Sequence, residues 1–204
     1  FQMDLSLIPS RYHSCRVLRE YSGFILISAI DQNNNPVIIK TTGNYASDRD
    51  RYLFARELEK SREIETPGLT KILDIEDHRN SILLIMEGGD YTLLSEHMAA
   101  GEMSLMYSLR ITSSLAAILG RIHEFNHLFG QVSPENILIH NKTGEIKLLN
   151  FSLVMPFSEM DRISSTIDLP PDFFPYMSPE QTGRMNRIID HRTDIYSLGV
   201  TLYR

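Results

Sequence analysis

Phe129-Gly130-Gln131-Val132-Ser133-Pro134-Glu135-Asn136 lies between two strongly patterned segments in the second half of a 204-residue sequence. Before it, residues 105–125 put Ile111, Leu115, Ile118, Leu119 and Ile122 at i, i+4, i+7, i+8 and i+11, one buried face of a long helix. After it, residues 136–140 and 145–149 flank the turn Asn141-Lys142-Thr143-Gly144 and read as a tight hairpin. The octet takes its weight from its place in an ordered set. Val37-Ile38-Ile39-Lys40 ends an apolar strand, Glu57 falls on the following helix, and Glu87-Gly88-Gly89 closes the strand-rich part. Beyond the octet come Leu148-Leu149-Asn150-Phe151-Ser152, then Met177-Ser178-Pro179-Glu180, then Asp194-Ile195-Tyr196-Ser197-Leu198-Gly199. Taken singly each is weak. Lys40 alone reads as an edge lysine whose stem lies along apolar surface, and Glu57 alone as a solvated helix residue.

Working outward, residues 16–20 and 23–30 read as short strands around Tyr21-Ser22-Gly23. The turn formers of residues 31–36 separate them from a third strand at 37–40, so residues 23–40 form a hairpin. Helix formers fill residues 48–65, with Tyr52, Leu53, Ala55 and Leu58 as the apolar stripe, until Thr66-Pro67-Gly68 stops them. Strands follow at 70–74 and 81–86 around a polar turn at 76–80, and helices at 91–99 and 105–125. Residues 155–177 are long, irregular and Pro-containing, a length that is usually functional inside a compact domain. Residues 193–204 restart as an apolar helix. The expected architecture is α+β and bilobal: a small antiparallel-sheet lobe over residues 1–87 and a larger helical lobe over 88–204. The helix still running at Arg204 reads as a fold truncated before its last helices, with Ile195, Leu198 and Leu202 exposed.

Composition narrows the function classes. Apolar residues make up 42 % and charged residues 23 %, enough for a buried core. Twenty basic against 26 acidic residues give −6, which argues against a nucleic-acid partner or a polybasic membrane clamp. A single cysteine, Cys15, excludes a disulfide scaffold and suits a reducing, cytoplasmic setting. No apolar run is long enough for a membrane span.

The ordered set as a whole resembles a protein-kinase domain over essentially the entire chain. The string Tyr176-Met177-Ser178-Pro179-Glu180-Gln181-Thr182-Gly183-Arg184-Met185-Asn186-Arg187, running on to Asp194, is more specific. It resembles the N-terminal serine/threonine-kinase-like domain of large hybrid histidine kinases of fungi and cyanobacteria, where an NTPase-type module, a GAF sensor and a histidine-kinase core follow.

The resemblance implies ATP as ligand, with Lys40 on the α/β-phosphates and Glu57 as its partner. It implies a hinge at Glu87 and Gly89 that meets adenine through backbone groups, and Asn136 as a magnesium-binding residue. Pro179, Glu180 and Asp194 would support the fold, with the arginine partner of Glu180 lying beyond Arg204. Departures from the family pattern fall on the chemistry. Gln131 replaces the catalytic aspartate, and an amide cannot take up the substrate hydroxyl's proton. Ser133 replaces the loop lysine, which removes a cation from the transferring phosphate. Asn150 replaces the principal metal-binding aspartate, which weakens magnesium. Phe129 replaces the loop histidine, and only Gly23 remains where a phosphate-covering loop has three glycines.

The pattern implies a pseudokinase: a regulatory domain of a stress-responsive phosphorelay protein. Its partners would be the other domains of the parent chain and, through it, a phosphotransfer protein and a response regulator. The alternatives are a weakly active ATP-dependent serine/threonine kinase and a nucleotide-free interaction scaffold. Ser164-Ser165-Thr166 reads as a solvated loop at a place where activation segments are phosphorylated, and Arg184, Arg187 and Arg192 as a solvated or fold-supporting turn, for which the resemblance implies a docking surface as the alternative. His123 and His127, four residues apart, read as structural rather than metal-binding.

Overall fold

In the computed structural model, residues 7–21, 23–43, 45–101, 103–157, 171–182 and 188–203 are described. Short apolar runs build the first lobe. Strands β1 (His13–Tyr21), β2 (Phe24–Ile30), β3 (Pro36–Thr42), β4 (Ile72–His78) and β5 (Ser81–Glu87) form an antiparallel sheet in the order β1-β2-β3-β5-β4. Leu26, Ile38, Leu84 and Met86 point to one face, where they meet Phe54 of helix α1 (Asp48–Glu63). Ile27, Val37, Ile39, Leu83 and Ile85 point to the other, which Ile8 and Tyr12 cover. The central strands are therefore buried on both sides, which is why they read as continuous apolar runs rather than alternations.

Helix α1 opens on a capping box. Ser47 Oγ accepts from the Asp50 N–H, and the Asp50 carboxylate accepts from the Ser47 N–H. Its inward face differs from the expected stripe. Phe54, Glu57 and Lys60 are buried, whereas Tyr52 is 64 % exposed and Ala55 also faces water. The charged groups go inside because they find partners there.

Strand β4 runs through His78, leaving only Arg79 and Asn80 as the turn, so the polar residues expected to form a turn are in the strand. At the sheet edge Asp77 faces solvent while Glu76 accepts the Tyr12 hydroxyl at 2.9 Å, and polarity does not break the strand. A second difference lies just after β5. Residues 91–93 are a strand, β6 (Tyr91–Leu93), and only Leu94–Ala99 is helical (α2). Tyr91, Thr92 and Leu93 pair with His140, Ile139 and Leu138, partners too far along the chain for local periodicity to reveal.

The second lobe rests on α3 (Leu105–Glu124), whose buried residues are Ile111, Leu115, Ile118, Leu119 and Ile122, the expected face. Beside it lie β7 (His127–Leu128), the hairpin β8 (Ile137–His140) and β9 (Ile146–Leu148), and β10 (Met155–Pro156), which pairs with β7. A 3-10 turn at Pro171–Tyr176 leads towards α4 (His191–Tyr203), which packs against α3 and that turn. Within α4, Ile195 and Leu202 are exposed as expected, but Leu198 is buried at 5 % and joins the main core. The hydroxyl cluster at 164–166 and the arginines at 184 and 187 lie outside the described residues. Among the described residues, no helix is long and apolar enough to cross a membrane.

Candidate functional site

Strand β3 delivers Lys40 to the sheet face that meets α1, one residue on from Ile39, which points the opposite way. The Lys40 ammonium donates to Glu57 Oε2 at 2.8 Å, and the two side chains are 5 % and 0 % exposed. The rings of Phe24 and Phe54 each lie 5.2 Å from the ammonium. Burial works against its charge. Glu57, with the Tyr21 hydroxyl as a second partner, outweighs burial and raises the Lys40 pKa above its ordinary value. The other oxygen of Glu57, Oε1, accepts the Phe151 N–H at 3.0 Å. One buried carboxylate thus ties β3, α1 and the segment after β9 together.

Below this pair lies the Phe129–Asn136 octet. Its backbone is fixed from within the helical lobe. Asp194, at the start of α4, accepts the Phe129 N–H at 2.9 Å and the Gly130 N–H at 2.8 Å, and pairs with His123 Nε2 at 2.8 Å. Gly130 has φ +79°, a backbone conformation that glycine adopts without strain. Gln181 Nε2 donates to the Gly130 carbonyl at 3.2 Å. Ser133 starts a 3-10 turn, Pro134–Asn136, whose last residue donates Nδ2 to the Gln131 carbonyl at 2.9 Å. Gln131, Ser133 and Asn136 are all buried.

Asn136 and Asn150 meet directly. Asn150 Nδ2 donates to Asn136 Oδ1 at 2.5 Å, and Asn150 Oδ1 accepts the Tyr21 hydroxyl at 3.0 Å. Asn150 holds φ +66°, a left-handed conformation that asparagine tolerates better than most residues. The chain Tyr21–Asn150–Asn136–Gln131 is therefore a continuous run of hydrogen bonds from β1 into the octet.

At the join between the lobes, Glu87 takes Lys147 as an ion-pair partner and accepts the Lys71 N–H at 3.3 Å. Gly88 and Gly89 are required by close approach. A Cβ on Gly88 would meet the Val37 backbone at 2.5 Å, and one on Gly89 the Tyr91 ring at 2.6 Å. Within this structure Thr193 Oγ1 donates to Glu180 at 2.8 Å. Burial raises its pKa, but bonds led by that hydroxyl hold the carboxyl below its ordinary range. Pro179 lends its carbonyl to Thr182 Oγ1 at 2.7 Å. His123 and His127 separate. The first is on α3 against Asp194, and the second is on β7, 3.5 Å from Glu63.

Residues 23–204 match the protein kinase domain family. The chain belongs to the protein kinase family. The match is to relatives that are themselves longer. A serine/threonine-protein kinase, pkn2, of Myxococcus xanthus is 30 % identical over 158 residues, covering 74 % of this chain and 18 % of its own length. The DNA damage-responsive serine/threonine-protein kinase RqkA of Deinococcus radiodurans is 26 % identical over 209 residues, 98 % of this chain and 30 % of its own. Serine/threonine-protein kinase PknB of Mycobacterium leprae is 26 % identical over 164 residues, 78 % of this chain and 26 % of its own. This kinase domain thus spans less than a third of each of these relatives.

Protein kinase domains bind ATP and magnesium, and the residues here fit the two unequally. A buried lysine braced by a carboxylate suits a phosphate. The metal position fits poorly. Magnesium takes oxygen ligands, yet Asn150 turns an N–H, not an oxygen, towards Asn136 Oδ1. Sequence reading brought Lys40, Glu57, Asn136, Asn150 and Asp194 into view through their order along the chain. It missed Tyr21 and Gln181. Their bonds to Asn150 and Gly130 span 129 and 51 residues, and only the turn at Tyr21-Ser22-Gly23 marked the neighbourhood.

Proposed function

We propose that this protein kinase domain is a degenerate, regulatory one that transfers little or no phosphate. One observation carries the reading. The scaffold groups of a kinase cleft are assembled, with Lys40 on Glu57 and Glu57 on Phe151, while amides occupy the positions of the base and the principal metal ligand. Gln131 offers no basic oxygen, and a general base is worth about 100- to 10,000-fold. Ser133 supplies no cation to a transferring phosphoryl group. A cleft kept in shape without its chemistry serves as a folded signal surface or a ligand sensor.

The resemblance of residues 176–187 and 194–200 to the kinase-like domain of hybrid histidine kinases supports a finer reading. In it, the domain regulates a histidine-kinase core elsewhere in the parent chain and, through it, a phosphotransfer protein and a response regulator in the cytoplasm. The reading frame beyond Arg204 tests this. NTPase, GAF and histidine-kinase modules are expected there, and removal of this domain should change phosphorelay output. A frame without them would overturn the assignment.

A second reading is a weakly active serine/threonine kinase. The intact Lys40–Glu57 pair and the similarity to serine/threonine-protein kinases favour it. Label transfer from ATP, with Lys40→Met as the blank, separates the two.

A further inference from the structure

The Asn136–Asn150 contact is more than a weakened metal site. In a metal-binding pair, two side-chain oxygens converge on one cation. Here the Asn150 Nδ2 hydrogens lie where the cation would sit, 2.5 Å from Asn136 Oδ1 between the heavy atoms. The second amide of the pair is engaged as well. Asn136 Nδ2 donates to the Gln131 carbonyl and Asn150 Oδ1 accepts from Tyr21. A divalent cation would have to break this chain and face an N–H dipole of the wrong sign.

Strand β1 reinforces the closure. Arg16 Nη2 donates to the Tyr91 carbonyl at 3.2 Å, Arg19 Nη1 to the Glu135 carbonyl at 3.4 Å, and Tyr21 to Asn150. All three contacts cross from the sheet to the second lobe. Strict alternation would send Arg16 and Arg19 to opposite faces. The register shift in β1 between Val17 and Arg19 inserts the extra residue that brings them to the same side. The Arg19 guanidinium also lies 4.2 Å from the centre of the Tyr21 ring, which fixes that ring over the cleft.

We propose that this cleft is latched without a divalent cation: the Asn150 amide stands in for the metal, Tyr21 holds it from β1, and a nucleotide enters metal-free by displacing Tyr21. The proposal rests on the reading of this site as a degenerate kinase cleft and specifies the form of ligand it takes. The Lys40 ammonium is then the principal cation for the phosphates of uncomplexed ATP.

Equilibrium binding of ATP to the chain, in excess magnesium and in EDTA, tests it. The wild type is expected to bind more tightly in EDTA, because excess magnesium complexes the ATP and leaves little of the uncomplexed form. Tyr21→Phe keeps the ring under Arg19 and removes only the hydroxyl. It should tighten binding in EDTA by about fivefold, the worth of an ordinary net hydrogen bond. Asn150→Asp restores a carboxylate at a backbone position that aspartate also tolerates, and combined with Tyr21→Phe it should make binding magnesium-dependent. Wild-type binding as tight or tighter in excess magnesium, unchanged or weaker binding in Tyr21→Phe, or no binding by any variant would each overturn the latch. Phosphoryl transfer is not read in this experiment, so its failure leaves the inactive-domain reading standing or falling by its own assay.

Discussion

The carboxylate of Asp194 holds the Gly130 N–H at 2.8 Å from a side chain with no exposed surface, and with the same group it holds Phe129 and His123. Three donors on one buried carboxylate set the entrance to the octet from the far side of the lobe. Asp194→Asn keeps the shape but removes the charge and turns one of the two accepting oxygens into an NH2 group that faces a donor. A loss of about 2–3 kcal/mol in a denaturant titration is expected, with Asp194→Ala worse because two buried N–H groups lose their acceptor. A change within experimental error would show that the octet is held elsewhere.

Lys40 and Glu57 form a buried pair, and removing one member strands the other. Lys40→Met should cost about 3–5 kcal/mol, while Lys40→Met combined with Glu57→Leu should recover part of that loss, although Phe151 then loses its acceptor. The folded pKa of Lys40 lies above its ordinary value of about 10.4, so its contribution is complete below that pH and is lost as pH rises through the folded value. Stability measured between about pH 6 and 9 should therefore show no step that disappears in the double variant.

Gly88 packs its α-carbon against strand β3, with 2.5 Å between a would-be Cβ and the Val37 backbone. Backbone cannot move aside as a side-chain tip can. Gly88→Ala is expected to destabilise by about 1–3 kcal/mol through overpacking, read as a lowered melting temperature. Gly43, whose Cβ would meet nothing within 4 Å, is the control, and Gly43→Ala should be nearly neutral.

How much of this was legible in the sequence depends on the range of each interaction. The α3 face followed from its period, because every residue that defines it lies within twenty positions on one helix. Lys40, Glu57 and Asp194 emerged from order along the chain, although Glu57 on its own looked solvated and is in fact fully buried. The strand at Tyr91–Leu93 was missed because its partners come from β8. The cover that Ile8 and Tyr12 give the outer sheet face, and the bond from Tyr21 to Asn150, were equally out of reach. Such contacts are fixed by the assembled sheet, not by local propensity.

Burial pushes the Cys15 thiol above its ordinary range, since the buried neighbourhood disfavours the thiolate. Near pH 8 the folded chain should therefore carry less thiolate than the unfolded chain. Iodoacetamide should alkylate Cys15 more slowly in buffer than in urea, and the difference should narrow as pH rises through the folded value. Equal rates at pH 8 would contradict the shielding.

The central claim is that this cleft keeps the form of a kinase without its phosphoryl transfer. Incorporation of label from γ-phosphate-labelled ATP into the chain and into a general serine/threonine substrate tests it most directly, with magnesium and with manganese. Wild type and Lys40→Met are expected to give the same background in both metals. Incorporation by the wild type that Lys40→Met abolishes, while Lys40→Met remains folded, would contradict it.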